Sequence, residues 1–166
     1  MSSLPTVTIR RTVRPEDAEG IGALHRRIYQ AEYGMNDQFV SGVTNGVRQQ
    51  ILRGWPERHG ASWLIDGDDG LLGSLGLTVE RPGHGRVRWF VLDPSLRGQG
   101  VGRRMVDEMM QTAREISLES MDLVTFSALV AAAHLYRSVG FRVVAEEPRT
   151  DWGPPITFQH YELDLR

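Results

Sequence analysis

The chain has 166 residues, of which 40% are hydrophobic, and its formal net charge at pH 7 is −2. This length predicts one domain, spanning residues 1–166, with a full hydrophobic core, and the charge argues against nucleic acid as a partner. The chain has no cysteine, no run of about 18 apolar residues and no apolar amino-terminal signal, so we predict a cytoplasmic protein without disulfides or a membrane partner.

The first half of the chain predicts two helices followed by a meander of antiparallel strands. Apolar residues at helical spacing follow Pro15, and the helical pattern resumes at Phe39 after a break at residues 32–37. Alternating apolar runs with Gly-rich turns between them predict a hairpin and a further strand. The predicted elements are a strand at 7–11, helices at 15–30 and about 39–51, and strands at 61–66, 71–79 and 86–92.

The second half of the chain predicts alternating helices and strands. The predicted elements are a helix at 101–116, a strand at 121–126, a helix at 130–138, and strands at 142–145 and 157–165. An antiparallel first half joined to an alternating second half predicts an α/β (α+β) fold. Its central sheet is mixed and mostly antiparallel, with helices on both faces.

The segment Arg97-Gly98-Gln99-Gly100-Val101-Gly102-Arg103 lies between a predicted strand and a predicted helix. Glycines let the backbone approach a ligand closely, and the N–H groups in the first turn of the following helix can bind a phosphate. The segment therefore predicts a site for an anionic cofactor at residues 97–103. The alternative is a Gly-rich structural turn without a ligand.

Two common phosphate-binding motifs do not fit this segment. A Walker motif needs Lys followed by Ser or Thr after its last glycine, but Gly102 is followed by two arginines and the chain contains no lysine. The dinucleotide motif Gly-x-Gly-x-x-Gly/Ala ends at Arg103 when counted from Gly98, and at Met105 when counted from Gly100. Neither reading frame completes it.

The segment does match the pattern Arg-x-x-Gly-x-Gly, with Arg97, Gly100 and Gly102. A second motif, Leu-Tyr-x-x-x-Gly-Phe, lies downstream at residues 135–141. In this order, the two motifs resemble the acetyl-CoA loop and the later helix end of the GNAT family of N-acetyltransferases. The resemblance extends over nearly the whole chain, from residue 7 to residue 165.

The resemblance implies the acyl-CoA N-acyltransferase fold, with acetyl-CoA as co-substrate and no metal. It also implies a splay between the fourth and fifth strands, at residues 86–92 and 121–126, where the pantetheine arm lies. Backbone N–H groups near Val91 and Leu92 would bind that arm and polarise the acetyl carbonyl. The cofactor-binding residues implied are Val91, Leu92, Arg97, Gly98, Gln99, Gly100, Val101, Gly102 and Arg103.

For the chemistry, the resemblance implies direct acetyl transfer to a primary amine of a small molecule or peptide. Tyr136 is the implied general acid, which protonates the CoA sulfur. The family often has a carboxylate on the strand before the loop, but the strand at 86–92 has none. The remaining candidates for the proton acceptor are Glu32, Glu80 and His84, with Glu32 first because it lies in the loop between the first two helices; a water chain is an alternative.

Other features bear on cofactor, acceptor and partner. Leu129 stands where the family often has asparagine, which puts a cofactor contact from that helix in doubt. Several motifs resemble the acetyltransferase half of bacterial MarR–acetyltransferase fusions, and a homodimer is compatible with the fold. That resemblance and the absence of a carboxylate on the strand at 86–92 support a second hypothesis, a non-catalytic acyl-CoA-binding module for regulation or scaffolding. Candidates for an aromatic acceptor pocket are Trp63, Trp89, Trp152 and Tyr33.

Overall fold

The computed structural model describes residues 7–166, which form helices and one six-stranded sheet. The helices are α1 (Asp17–His25), α2 (Ala31–Tyr33), α3 (Asp37–Leu52), α4 (Val101–Glu115) and α5 (Val130–Ser138), with a π-helical turn at Arg26–Gln30 and a 3₁₀ turn at Pro94–Leu96. The strands are β1 (Gly60–Gly67), β2 (Gly70–Arg81), β3 (His84–Leu92), β4 (Ser120–Phe126), β5 (Arg142–Arg149) and β6 (Ile156–Asp164). Within residues 7–166, every helix is too short or too polar to span a bilayer.

The strands are ordered β1-β2-β3-β4-β6-β5, and all neighbours are antiparallel except the parallel pair β3 and β4. Side chains alternate across the sheet, so that Trp63 and Ile65 enter one hydrophobic cluster while Leu64 enters the other. The first cluster packs α4 and α5 against the sheet, and the second packs α1 and α3 against it. This confirms the predicted mixed, mostly antiparallel sheet with helices on both faces.

The parallel contact between β3 and β4 is short. Only residues 84–86 of β3 pair with residues 120–122 of β4, and among the described residues no further pairing joins the two strands. Beyond that contact the strands diverge, which leaves a gap toward the carboxyl end of β3. The predicted splay is therefore confirmed at the predicted pair of strands.

A β-bulge lies on β3 next to this gap. Ser74 of β2 pairs with Val91, but Gly76 pairs with Arg88, so β3 carries one extra residue between these positions. Trp89 takes the left-handed conformation, with φ of 54°, which is rare for a large side chain, and its carbonyl accepts a hydrogen bond from Ser74 Oγ at 2.5 Å. The bulge interrupts the β2 ladder at the point where β3 leaves β4.

One predicted element at the amino-terminal end was wrong, and a second is confirmed with different bounds. The segment 7–11 is no strand: only Arg10 bridges to Leu64, because the guanidinium of Arg10 is held by Asp17 and Asp66 and the chain turns into α1. The predicted helix at 15–30 begins at Asp17 and changes into the π-helical turn at its end. A π turn adds a residue to the helix and reorients the side chains that follow.

Candidate active site

Gly98 and Gly100 shape the loop before α4. Both have positive φ, of 74° and 78°, and a Cβ added to either would meet no atom within 4 Å. Gly100 is the N-cap of α4 and provides no side-chain cap. Within the part of the chain described here, the N–H groups of residues 98–103 donate to no acceptor. The loop and the helix start thus present free N–H donors on an open surface, which suits an anionic group.

Gly102 has a different role. A Cβ there would lie 3.1 Å from Leu135 of α5 and 3.3 Å from Leu92 of β3. The small residue therefore lets the first turn of α4 pack closely against both elements. This close packing holds the donor-bearing end of α4 near the carboxyl end of β3.

The loop side chains are tied down by local contacts. Gln99 donates to the carbonyl of Ser95 at 2.7 Å, and Arg103 donates to Ser138 Oγ at 2.6 Å. Val101 is buried in the core. Of these three predicted cofactor residues, only Arg103 brings a positive charge, and its guanidinium retains further donors beyond the one used by Ser138.

Arg97 forms an ion pair that the sequence did not predict. Its guanidinium donates two hydrogen bonds to the carboxylate of Glu32, at 2.6 and 2.8 Å, and one to the carbonyl of Leu92 at 3.3 Å. The hydrogen bonds from Arg97 lower the pKa of Glu32. Both oxygens of that carboxylate accept hydrogen bonds from the guanidinium, so this pairing opposes the role of Glu32 as proton acceptor, which stays a prediction.

A cavity of about 180 Å³ lies between β3, α5 and the turn after α1, and we call it the loop cavity. It is lined by three of the predicted cofactor residues, Val91, Leu92 and Arg97. Its other walls are largely apolar side chains, from Ile28, Tyr29, Tyr33, Phe90, Leu129, Val130, Ala131, Ala132 and Leu135. An apolar slot of this kind, with a cation at one end, suits a flexible chain that ends in phosphates.

A second cavity, of about 240 Å³, is lined by residues of both β3 and β4, and we call it the aromatic cavity. Its walls come from α1, the π-helical turn, α3, β3, β4, α5 and β6. The aromatic side chains lining it are Tyr29, Phe39, Trp89, Phe90, Phe126, Tyr136 and Phe158. Three residues, Tyr29, Phe90 and Leu129, line both cavities, so the two cavities meet at the splay between β3 and β4.

Tyr136 lines the aromatic cavity while its ring packs in the core. The residue is 4% exposed, and its ring lies about 6 Å from those of Phe90, Phe141 and Tyr161. Burial raises the pKa of its phenol, so the hydroxyl keeps its proton. No described residue forms a hydrogen bond with that hydroxyl, and the oxygen is not fully enclosed by protein atoms. The hydroxyl is therefore free to donate into the cavity.

The two other predicted proton acceptors lie outside both cavities. The carboxylate of Glu80 accepts hydrogen bonds from Thr78 and Arg88 at 2.6 and 2.7 Å. His84 contacts Ser120 Oγ at 2.7 Å and Asp122 at 3.1 Å, at the closed end of the splay. Both side chains are engaged in contacts that hold neighbouring strands together.

The predicted aromatic pocket is formed only in part by the predicted residues. Trp89 lines the aromatic cavity and Tyr33 the loop cavity, but Trp63 is fully buried in the core under α4. Trp152 packs on Phe39, at 5.3 Å between ring centroids, and lines neither cavity. The sequence analysis missed the side chains of α1 and the π turn, since a histidine or tyrosine at helical spacing looks like an ordinary core residue.

Comparison with known proteins gives the family context of this geometry. Residues 23–141 match the family model described as "Acetyltransferase (GNAT) family". A mycothiol acetyltransferase of Beutenbergia cavernae is 32% identical over 85 residues, which are 50% of this chain and 29% of that protein. The match thus spans less than a third of that relative.

Solved structures share the fold at low sequence identity. A GNAT-family acetyltransferase from Staphylococcus aureus superposes with a TM-score of 0.74 and 17% identity, over 97% of this chain and 100% of the other. The putative acetyltransferase YncA of Salmonella typhimurium, solved with its cofactor acetyl-CoA, gives 0.70 and 18%, over 98% and 95%. The similarity over whole chains confirms the predicted fold.

Proposed function

The chain belongs to the acetyltransferase (GNAT) family, whose acyl donor is acetyl-CoA, and from this premise we propose that it transfers the acetyl group directly to a primary amine of a small molecule or peptide. The observation that carries the proposal is the meeting of two cavities at Tyr29, Phe90 and Leu129. One cavity adjoins the phosphate-type loop, and the other holds the free hydroxyl of Tyr136. Donor and acceptor can therefore approach the same point, each from its own cavity.

The residues of the loop and the loop cavity fit acetyl-CoA. Free N–H groups at residues 98–103, with no Cβ on Gly98 or Gly100 in the way, suit the pyrophosphate. Arg103 adds a fixed positive charge beside them. The apolar loop cavity suits the pantetheine arm, and Val91 and Leu92 line it next to the splay.

The chain's own groups supply two of the three chemical tasks. N–H groups on the unpaired edge of β3, near Val91 and Leu92, would polarise the thioester carbonyl, as an oxyanion hole does. The phenol of Tyr136 would give its proton to the departing sulfur. Direct attack is supported by the absence of cysteine, because no thiol can form an acyl-enzyme.

The aromatic cavity, as the acceptor site, favours an amine that carries an apolar or aromatic group. Its walls present seven aromatic rings, and Arg86 and Arg88 are its cationic side chains. A carboxylate or another anionic group on the acceptor would lie favourably near these arginines. The relative named mycothiol acetyltransferase supports a small-molecule acceptor rather than a folded protein.

Several finer assignments remain predictions. These are the likeness to the acetyltransferase half of MarR fusions, the cytoplasmic location, the homodimer and the extent of the domain over residues 1–166.

The test is release of CoA thiol from acetyl-CoA in the presence of a panel of primary amines, including L-phenylalanine, phenethylamine and a short peptide. We expect amine-dependent thiol release together with a product heavier than the amine by one acetyl group. Saturable binding of acetyl-CoA without thiol release for any amine would instead favour the non-catalytic acyl-CoA-binding module. Absence of binding would contradict both functions.

A further inference from the structure

His25 lies at the last position of α1, one helical turn before Tyr29, and lines the aromatic cavity. It is 3% exposed, and its ring meets that of Tyr29 edge to face at 5.2 Å. Tyr29 in turn lines both cavities at their meeting point. The imidazole is thus one side chain away from the place where the acetyl group would lie.

The hydrogen bonding of His25 fixes its tautomer. Nδ1 lies 2.7 Å from the carbonyl oxygen of Ile21, and a carbonyl can only accept, so Nδ1 carries the proton in the neutral ring. Nε2 is then a lone-pair acceptor. It has no partner among the described residues. Among these residues, Trp63 Nε1 is the one side-chain nitrogen or oxygen that is both fully enclosed and without a partner, so Nε2, which also lacks a partner, is not fully enclosed. Nε2 is therefore an open acceptor on a side chain that lines the aromatic cavity.

The surroundings keep this imidazole neutral. Burial lowers the pKa of His25 to about 4, against the weaker effect of the Ile21 hydrogen bond. The other ionisable groups on the cavity wall are phenols, from Tyr29 and Tyr136, and the guanidinium groups of Arg86 and Arg88. No described residue that lines the cavity is a carboxylate. Neither a phenol nor a cation would favour a protonated ring, so His25 is a free base across the neutral pH range.

The nearby carboxylates are each paired with an arginine. Glu32 binds Arg97, Glu80 binds Arg88, and Asp122 binds Arg86, with contacts of 2.6 to 2.8 Å. An amine entering the aromatic cavity would find these acids already paired with arginine. The unprotonated Nε2 is the one basic lone pair that the described residues place on the cavity wall.

We propose that His25 is a catalytic residue of the acetyl transfer, whose Nε2 accepts the proton that the substrate ammonium must lose before it attacks. The proposal rests on the proposed function and adds the missing proton acceptor. Burial beside Arg86 and Arg88 lowers the pKa of an ammonium bound in the cavity, as burial lowers that of His25, so the ammonium can give one proton to Nε2. The freed lone pair then forms the C–N bond to the thioester carbonyl carbon. The C–S bond then breaks, and the sulfur takes the phenolic proton of Tyr136.

The proton balance closes. The attacking nitrogen loses its second proton as the amide forms, and this proton restores the phenol of Tyr136. The proton on Nε2 returns to solvent, helped by the low proton affinity of the buried ring. Ammonium and thioester thus give amide, thiol and one released proton.

A first test reads the imidazole directly and needs no turnover. In protein labelled with ¹⁵N-histidine, the His25 signals should show a protonated Nδ1 and an unprotonated Nε2 from neutral pH down to about pH 5. Addition of phenethylamine should shift the Nε2 signal more than the Nδ1 signal. A ring protonated on Nε2, or an Nε2 signal that ignores the amine, would overturn the proposal even if the enzyme assignment holds.

The second test is kinetic and compares two substitutions. Asn in His25→Asn can still donate to the Ile21 carbonyl but lacks the basic nitrogen, so the local helix is preserved. We expect kcat/KM at pH 7 to fall about 100-fold, the typical range for a lost general base. His134→Asn, on the exposed face of α5 and outside both cavities, should match the wild type.

The pH profile separates a base from a packing role. With His25 present, kcat/KM should stay level from about pH 5 up to the pKa of the amine; in His25→Asn it should rise tenfold per pH unit, because only neutral amine then reacts. A variant within threefold of wild type, or a loss that is constant across pH, would overturn the proposal. Failure of the wild type to acetylate any amine would instead count against the proposed function, and the ¹⁵N spectrum would still decide on Nε2.

Discussion

The loop side and the aromatic side of the splay are built in different ways. The loop side presents unpaired main-chain N–H groups of one continuous segment, residues 98–103, with glycines at two positions. The aromatic side is assembled from side chains on seven separate elements, between His25 and Phe158. A function carried by the backbone depends on local conformation, whereas a function carried by side chains depends on how distant elements pack. The two sides should therefore fail in different ways when they are mutated.

The largest effect should follow from blocking the loop. In Gly100→Trp the indole would project into the open space before α4, and the residue would also have to keep a φ of 78°. We expect the affinity for acetyl-CoA, measured by calorimetric titration, to fall by about 100-fold or more, or about 3 kcal/mol. A wild-type affinity in this variant would break the comparison, because the backbone cradle would then not be the binding site.

Gly70 provides a matched control for that variant. It also has positive φ, 126°, and a Cβ added there meets nothing within 4 Å, but it is the first residue of β2, next to the β1–β2 turn. Gly70→Trp should share the conformational strain and lower the melting temperature in a similar way. It should leave the affinity for acetyl-CoA unchanged.

The next effect separates chemistry from binding. Tyr136→Phe keeps the buried ring but removes the free hydroxyl, so kcat should fall about 100-fold while the calorimetric affinity for acetyl-CoA stays the same. Tyr161→Phe is the control: its ring packs against Tyr136, and its hydroxyl binds Gln159 at 3.2 Å. That change should cost about 1 kcal/mol of stability and leave kcat intact. Equal kcat losses in both variants would point to packing rather than proton transfer.

A pH experiment tests how dry the aromatic side is. The pKa of His25 is lowered in the folded state to about 4, so between pH 6.5 and 4 the unfolded chain binds a proton that the folded chain does not. The free energy of unfolding should therefore decrease as the pH falls through this range, by about 3 kcal/mol from this group alone. Urea unfolding of His25→Asn should show about 2 kcal/mol less loss between pH 7 and pH 4.5, an interval that covers most of this range. Parallel losses in both proteins would mean that water reaches the imidazole freely.

The smallest effect should follow from breaking the ion pair that connects the two sides. The ion pair of Glu32 with Arg97 joins the segment after α1 to the loop, but both side chains are a third or more exposed. Glu32→Gln should change the affinity for acetyl-CoA by less than about fivefold and leave kcat within the same factor, since exposed pairs contribute little. Glu108→Gln, which breaks a similarly exposed pair with Arg104 on α4, is the control. A 100-fold loss of kcat in Glu32→Gln alone would restore Glu32 as the proton acceptor.

The same contrast explains what the sequence could predict. Gly98, Gly100 and Gly102 lie within five residues of one another and their conformations are local, so motif spacing located the loop. The strands from β1 to β6 followed from hydrophobic alternation and turn residues. The splay was expected only from the family resemblance, and the short β3–β4 pairing bears it out.

The aromatic side of the splay could not be predicted in the same way. His25 and Tyr29 read as ordinary residues of an amphipathic helix, and only the π turn and the packing of α1 on β3 bring them to the cavity. The ion pair between Arg97 and Glu32 joins residues 65 positions apart in the sequence, so no local pattern predicts it. Burial and pairing, which decide whether a carboxylate or an imidazole is a usable base, are properties of the folded chain.

The measurement that tests the central claim most directly is an NMR experiment on the protein bound to acetyl-CoA labelled with ¹³C in the acetyl methyl group. If the acetyl group lies where the two cavities meet, nuclear Overhauser effects should link that methyl group to the ring protons of both Tyr29 and Phe90. Effects to neither ring, in a sample that binds acetyl-CoA saturably, would contradict the account.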